Sequence, residues 1–331
     1  MPSPAAELME EIGGEILLRA PPDKPTAPSR TTPSSTATAS AIIPSFFPTT
    51  STPCFAAPAV GGDGWVTLDG RHGRLLMKPV ERPGFVVWDP SIGRQQHIPE
   101  NPYPNYSFSI STFFGAVLCP VDRCEHLACQ GGQFQVFVVC INKEEHVAWM
   151  CMYSSETSVW STASGTVGFS SSSSLRGAPS VLLGDALCFT LVLRGLLKYN
   201  LGTRSLSIIV PPLEMYQVRV ASWGGTVITS EDGGLGYAGL IYDRRILRLW
   251  SWKDGNDGST VGWTQYRDIS FEPLLPTSGA LSAVISFAEG TDTILLDTGS
   301  ILTVHIKAGK VRKVGARGIY DCFRRMVPYT I

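Results

Sequence analysis

The chain has 331 residues, 44% of them hydrophobic and 17% charged, and its 27 basic and 28 acidic side chains leave a formal net charge of −1. That is enough apolar content for one large buried core with a tail attached, and the balance of charge gives no general attraction to nucleic acid or to an anionic membrane surface. No apolar run approaches the ~18 residues that a bilayer-spanning helix needs, and the early acidic residues Glu7, Glu10, Glu11 and Glu15 have the wrong sign for a secretory leader.

Residues 1–25 read as a short amphipathic helix, with Leu8, Ile12 and Ile16 recurring at the helical period. Gly13 and Gly14 weaken it by about 1 kcal/mol each relative to alanine, and Pro21-Pro22 end it. Residues 26–62 are dominated by Pro, Ser, Thr and Ala, with no acidic side chain between Lys24 and Gly62. Such a composition buries too little surface to offset its own ordering entropy, so a disordered linker is expected there.

From residue 63 to 331 one device recurs: an apolar, aromatic run, a polar turn with Gly or Asp, then a second run. Phe85-Val86-Val87-Trp88 leads into Asp89 to Gly93. Val147 to Tyr153 leads into Ser154 to Thr157 and then Val159-Trp160. Leu196 to Tyr199 leads into Asn200 to Thr203, and Ile301 to Ile306 into Lys307 to Lys310. The clearest instance lies within residues 233–269, where Trp250, Trp252 and Trp263 flank the turn Lys253 to Ser259. Simpler pairs lie between these units, such as Ser180 to Leu183 turning at Gly184-Asp185 into Ala186 to Phe189. The interval is irregular, on the order of 50 residues, which suits the blades of a propeller. A four-stranded sheet that is apolar on both faces must be covered on both, and radial stacking achieves this. The expected fold is therefore all-β, a β-propeller-like stack of antiparallel sheets with five to seven blades. Trp88, Trp160, Trp250 and Trp263 are assigned to its core. Residues 165–174 and 99–104 read as surface loops.

Catalytic signatures are absent: there is no nucleophile elbow, no HExxH and no Walker loop. Gly233-Gly234-Leu235-Gly236 lacks the strand and helix of a dinucleotide site. Asp254 to Gly258 resembles a calcium loop only faintly, because its glycine falls one position early. Cys119, Cys124 and Cys129, with His126 among them and Cys140 and Cys151 beyond, lack the paired close spacing of structural zinc and read as free thiols. The basic stretch from Lys307 to Arg325 reads as a solvated strand face. Loop residues Tyr103, Tyr106, Tyr216, Arg219 and Trp223 are the candidates for partner binding, since exposed Tyr, Trp and Arg dominate interface energetics.

Several phrases together carry a family resemblance. They include Gly70-Arg71-His72-Gly73-Arg74-Leu75-Leu76, Val87-Trp88-Asp89-Pro90, Leu183-Gly184-Asp185-Ala186-Leu187 and Tyr199-Asn200-Leu201-Gly202-Thr203. Further on come Leu247-Arg248-Leu249-Trp250-Ser251 and Ser286-Phe287-Ala288-Glu289-Gly290. In this order they resemble the F-box-associated C-terminal β domain of plant (grass-type) F-box proteins. Glu15 to Arg19 with Pro21 to Pro25 resembles the opening of an F-box. After Pro25 the pattern departs from that module: Thr, Pro and Ser replace its later helices, and no tryptophan precedes Trp65. A reading-frame slip across an F-box would produce such a run.

The resemblance implies a non-enzymatic substrate receptor of a cullin–RING ubiquitin ligase. It implies contacts to a Skp-type adaptor through Leu8, Ile12, Ile16, Leu17, Leu18, Pro21 and Pro22. The implied partners are that adaptor, a cullin and an unidentified protein substrate, with no nucleic acid, membrane, metal or cofactor. The expected location is cytoplasmic or nuclear, and the chain is expected to be a monomer outside the ligase. The rival readings are a free-standing interaction scaffold and a propeller enzyme with carboxylates in its channel.

Overall fold

Each polar hairpin of the aromatic rhythm joins the third and outermost strands of a separate sheet. The structure, a computed structural model, describes residues 16–17, 65–79, 82–90, 92–102, 114–120, 132–142, 144–168, 174–175, 178–192, 195–212, 225–241, 246–254, 261–270, 283–298, 300–316 and 327–328. Strand β1 is Ile16–Leu17. Blade 1 holds β2 (Trp65–Arg71), β3 (Arg74–Pro79), β4 (Phe85–Asp89) and β5 (Arg94–Ile98). Blade 2 holds β6 (Gly115–Leu118), β7 (Gln135–Asn142), β8 (Val147–Ser154), β9 (Val159–Thr162) and β10 (Val167–Gly168). Blade 3 holds β11 (Ser174–Leu175), β12 (Val181–Leu183), β13 (Ala186–Val192), β14 (Gly195–Asn200) and β15 (Leu206–Ile209). Blade 4 holds β16 (Gly225–Thr229), β17 (Leu235–Ile241), β18 (Ile246–Lys253) and β19 (Gly262–Ser270). Blade 5 holds β20 (Ala283–Ala288), β21 (Thr293–Asp297), β22 (Ser300–His305) and β23 (Lys310–Ala316), and β24 is Val327–Pro328.

Within each blade successive strands pair antiparallel from the axis outward, and the five sheets stand around one axis as a five-bladed β-propeller. Two strands are interrupted: the outer strand of blade 2 is split into β9 and β10, and the inner strand of blade 3 into β11 and β12. The stretch read as a long loop over residues 165–174 thus contributes β10 and the start of β11. Turn chemistry sets several hairpins. Gly93, Gly184 and Gly309 take positive φ in their turns, and Asn200 Oδ1 accepts from the Thr203 amide at 2.7 Å.

Stacking joins the blades through apolar clusters. One cluster spans blades 1 and 2 (Leu76, Val87, Val136, Trp160), one spans blades 2 and 3 (Phe137, Met150, Phe189, Tyr199), and one runs through blades 3, 4 and 5 (Leu196, Trp250, Leu296). The seam between blades 5 and 1 differs. Its blade 1 face (Trp65, Met77, Trp88) and its blade 5 face (Ala288, Leu295, Ile301) belong to separate clusters among the described residues. As at every other seam, the two blades share no strand.

Of the four tryptophans assigned to the core, Trp88, Trp160 and Trp250 are buried. Trp263 is only half-buried. It lies at the outer edge of blade 4, donating its indole N–H to the Val210 carbonyl of blade 3 at 2.6 Å. Glycine at position 225 is needed because the Tyr237 ring crosses directly over it, leaving no room for a methyl group.

The expected N-terminal helix is corrected at the two positions described. Ile16–Leu17 is a strand, paired antiparallel with Val327–Pro328 in the register Ile16↔Pro328 and Leu17↔Val327. A short segment that finds a free strand gains ladder hydrogen bonds, whereas an isolated helix interrupted by Gly13-Gly14 carries its nucleation cost alone. Among the described residues there is no helix, and none therefore long and apolar enough to cross a membrane.

Candidate functional site

Asp69 and Arg71 stand two residues apart on β2, so an extended strand places both side chains on one face. That strand is the innermost of blade 1, and its register slips between Thr67 and Asp69, leaving Leu68 as a one-residue bulge. The inner strand of blade 5 slips likewise between Val284 and Ser286, just before Glu289. Bulges re-aim the side chains beyond them, and here both inner strands bordering the 5–1 seam deliver a charged side chain to the axis.

Arg71 is the hub. Its Nη1 donates to Asp69 Oδ2 at 2.6 Å and to Ser180 Oγ at 2.7 Å. Its Nη2 donates to the Ser180 carbonyl and to Glu289 Oε1, both at 2.5 Å, and its Nε donates to Glu289 Oε2 at 3.1 Å. A guanidinium has five N–H groups, and all five are used. The carboxylates then reach further. Asp69 Oδ2 accepts from the Val117 amide of blade 2 at 2.9 Å, and Glu289 Oε1 from the Leu182 amide of blade 3 at 2.6 Å. Inner strands leave one row of backbone groups without a ladder partner, and buried amides need acceptors. Side chains of other blades supply them: the Val227 amide of blade 4 is likewise capped by Thr190 Oγ1 of blade 3 at 3.2 Å.

The electrostatics follow from burial. Asp69 is 1% exposed, and removal from water raises its pKa from 3.8 to about 6, although Arg71 and the Val117 amide pull the other way. For Arg71, burial alone would lower the pKa, but the Asp69 and Glu289 carboxylates outweigh it and raise the value. Nearby, burial pushes the Cys188 thiol up to about 12.

Beside this network lies a cavity of ≈ 180 Å³ lined by Asp69, Gly70, Arg71, His72, Pro179, Ser180, Phe287, Glu289, Gly290 and Pro328. The His72-Gly73 turn between β2 and β3 takes positive φ at both residues, the geometry of a tight hairpin. Strand β24 runs against β2 so closely that a methyl on Gly70 would meet the Pro328 carbonyl oxygen at 2.8 Å. Strand β24 therefore borders the same cavity through Pro328.

Sequence reasoning did not select Asp69, Arg71, Ser180 or Glu289 as a site. The available signal was the Asp-Gly-Arg spacing at the end of an apolar strand, two opposite charges on one face of a segment that is otherwise core. The residues it did select fall elsewhere. Ile16 and Leu17 are in β1, while Leu8, Ile12, Leu18, Pro21 and Pro22 lie outside the described residues. So do all five partner-binding candidates, Tyr103, Tyr106, Tyr216, Arg219 and Trp223. Cys124, His126 and Cys129 are also outside, and Cys140 and Cys151 face each other in blade 2 with sulfurs 3.2 Å apart. Among the described residues no three His, Cys, Asp or Glu side chains are placed to hold a metal ion. In the calcium-like segment, Asp254 accepts from the Trp252 indole N–H at 2.6 Å. In the basic stretch, Lys307 pairs with Asp292 at 2.5 Å, while Lys310, Arg312 and Lys313 are exposed on β23.

No family model and no curated protein matches the chain. Among solved structures it is similar to the β-propeller domain of Cps50 (Swd1) from Myceliophteria thermophila, at 11% identity over 83% of this chain and 80% of that one, with a TM-score of 0.46. It is similar to regucalcin, a calcium-binding protein from Agrobacterium tumefaciens, at 11% identity over 80% and 77%, with a TM-score of 0.44. It also resembles the extracellular domain of a putative one-component system from B. thetaiotaomicron, at 15% identity and a TM-score of 0.40, covering 76% of this chain but only 27% of that one. At these identities the likeness is one of fold alone.

Proposed function

We propose that this chain is a protein-recognition subunit, a propeller that holds loops in fixed relation for a protein partner. We take it to be the substrate receptor of an F-box-type ubiquitin ligase. The single observation that carries the recognition reading is the saturation of Arg71. The buried cation on the axis spends every donor on blades 1, 3 and 5, which makes it a pin that fixes the blades and the loops mounted on them. The ligase assignment rests on the phrases shared with F-box-associated β domains. Under it the protein works in the cytoplasm or nucleus, in keeping with Cys119, Cys140, Cys151 and Cys188 being free thiols.

The test is affinity purification of the tagged full-length chain from native tissue, with the eluate identified by mass spectrometry. Co-elution of a Skp-type adaptor and a cullin with a further protein supports the receptor reading. A further protein without adaptor or cullin leaves a free-standing scaffold, and recovery of the chain alone removes both.

A second reading, a propeller hydrolase or lyase, is favoured by one observation: Asp69, Glu289 and His72 converge on the axial cavity, and a carboxyl titrating near 6 suits general acid–base work. Both carboxylates are bound to Arg71, which ranks this reading second. Turnover of any ester, glycoside or uronide substrate that disappears in Asp69→Asn protein would reverse the ranking.

A further inference from the structure

We propose that the axial cavity is a recognition pocket for a lysine side chain of the protein partner. This rests on the recognition reading above and names the chemistry by which one residue of the partner is taken.

Charge gives the first argument. The lining residues carry two carboxylates, Asp69 and Glu289, against one guanidinium, Arg71. The cavity therefore holds one excess negative charge when both carboxylates are ionised. Because all five Arg71 donors are consumed, its positive charge has no hydrogen bond to offer an anionic guest. What remains is acceptor capacity. Asp69 binds Arg71 and the Val117 amide through Oδ2, which leaves Oδ1 as an acceptor on the wall of the cavity. Glu289 Oε2 accepts only from Arg71 Nε and so keeps a lone pair. Acceptor oxygens with spare lone pairs in a cavity of net negative charge are best matched by a cationic donor.

Shape gives the second. The other walls are Pro179, Phe287 and Pro328, apolar surfaces on which an aliphatic stem can lie while its charged end reaches inward. A volume of ≈ 180 Å³ is of the size of one long side chain. The free acceptors sit on two different carboxylates with a guanidinium between them. That arrangement offers no bidentate edge to the planar fork of an arginine, and it suits a compact ammonium with three divergent donors.

The experiment uses the full chain and N-acetyl-lysine methylamide as probe, followed by calorimetry and by thermal shift. Saturable binding is expected at pH 7.5 with Kd on the order of 1 mM, the scale for a ligand of this size. The ε-acetylated probe, of similar shape without the charge, should bind at least about tenfold more weakly, as should the arginine analogue. Lowering the pH to 5.5 should weaken the lysine probe in the unmodified protein as Asp69 takes up a proton. The charged groups facing Asp69 are Arg71 and Glu289, with His72 on the same cavity lining and the Cys188 thiol, held neutral by burial, nearby. Glu289→Gln keeps an acceptor and removes a charge, and it should abolish binding while circular dichroism confirms its fold; should it fail to fold, the acetylation and pH arms decide on unmodified protein. Equal binding of the two lysine probes, binding unaffected by pH 5.5, or no binding up to high millimolar probe overturns the proposal. A partner still captured from tissue in that event refutes the pocket and leaves the recognition reading standing.

Discussion

Arg71 and Glu289 are 218 positions apart in sequence and meet in two side-by-side hydrogen bonds, at 3.1 and 2.5 Å, across the seam where the ring closes. At the other seams apolar clusters continue from blade to blade; at this one they stop on either side. A bidentate carboxylate–guanidinium pair fixes direction as well as distance, which is what a seam without a continuous apolar cluster requires.

Removing one member of that pair therefore costs more than an ordinary ion pair. Arg71→Met leaves Asp69 buried beside Glu289 without their common partner, and breaking a buried pair in this way costs about 3–5 kcal/mol. Glu289 is 28% exposed on its side chain, so Glu289→Gln should fall below that range. Urea unfolding gives the magnitudes and hydrogen exchange the location. Faster exchange is expected in the inner strands of blades 1 and 5, β2 and β20, before those of blades 2 and 3. Uniform loosening of all five blades would show that the pair does not act at the seam.

Asp69 makes stability depend on pH with a definite sign. Its folded pKa, about 6, lies above the 3.8 of an unperturbed aspartate, so between these values the folded chain holds a proton that the unfolded chain has released. Its contribution is fully present below pH 3.8 and is lost as pH rises through 6. Relative to Asp69→Asn, the wild type should gain about 2.4 kcal/mol on going from pH 7.5 to 4. Asp232 works in the opposite direction: the Ser230 hydroxyl, then Lys253, hold it down to about 2. Its contribution is present above 3.8 and is lost only as pH falls towards 2. Parallel stability–pH curves for wild type and Asp69→Asn would contradict the assignment.

Two tryptophans on adjacent strands of blade 4 should separate sharply. Trp250 is 2% exposed within the cluster of blades 3 to 5, and Trp250→Ala should cost about 3–5 kcal/mol. Trp263 is half-buried, packed edge-on against Trp252 at 5.2 Å, and Trp263→Ala should cost about 1–2 kcal/mol. Equal shifts in the thermal melt would mean that burial does not distinguish them.

Gly225 and Tyr237 should behave as a coupled pair. Gly225→Ala forces a methyl into the Tyr237 ring and should cost about 1–3 kcal/mol, the range for overpacking. In a Tyr237→Leu background the same substitution should cost less than about 1 kcal/mol, a non-additivity that a double-mutant cycle reads directly. An unchanged cost in both backgrounds would place the strain elsewhere.

The range of an interaction along the chain decides whether the sequence reveals it. Aromatic runs such as Phe85 to Trp88 and Leu196 to Tyr199, with their Gly, Asp and Asn turns, were legible because strand alternation and positive φ are local demands. All five such hairpins are outer hairpins of blades, and the five- to seven-blade expectation resolves to five. The expected core position of Trp263 was not met, because alternation tells which face a residue occupies but not how far from the axis its strand lies. Ile16–Leu17 follow a helical period yet pair as a strand, because their partner, Val327–Pro328, comes from the other end of the chain.

What the sequence by itself determined was the all-β class, the blade rhythm and the places where the chain turns, since each depends on neighbours within a few positions. Only the tertiary structure decided the blade count, the polar closure of the last seam and the axial cavity. These depend on Asp69, Arg71, Ser180 and Glu289, whose approach to one point is a property of the closed ring. No local pattern can announce a contact between residues that become neighbours only once five sheets have turned full circle.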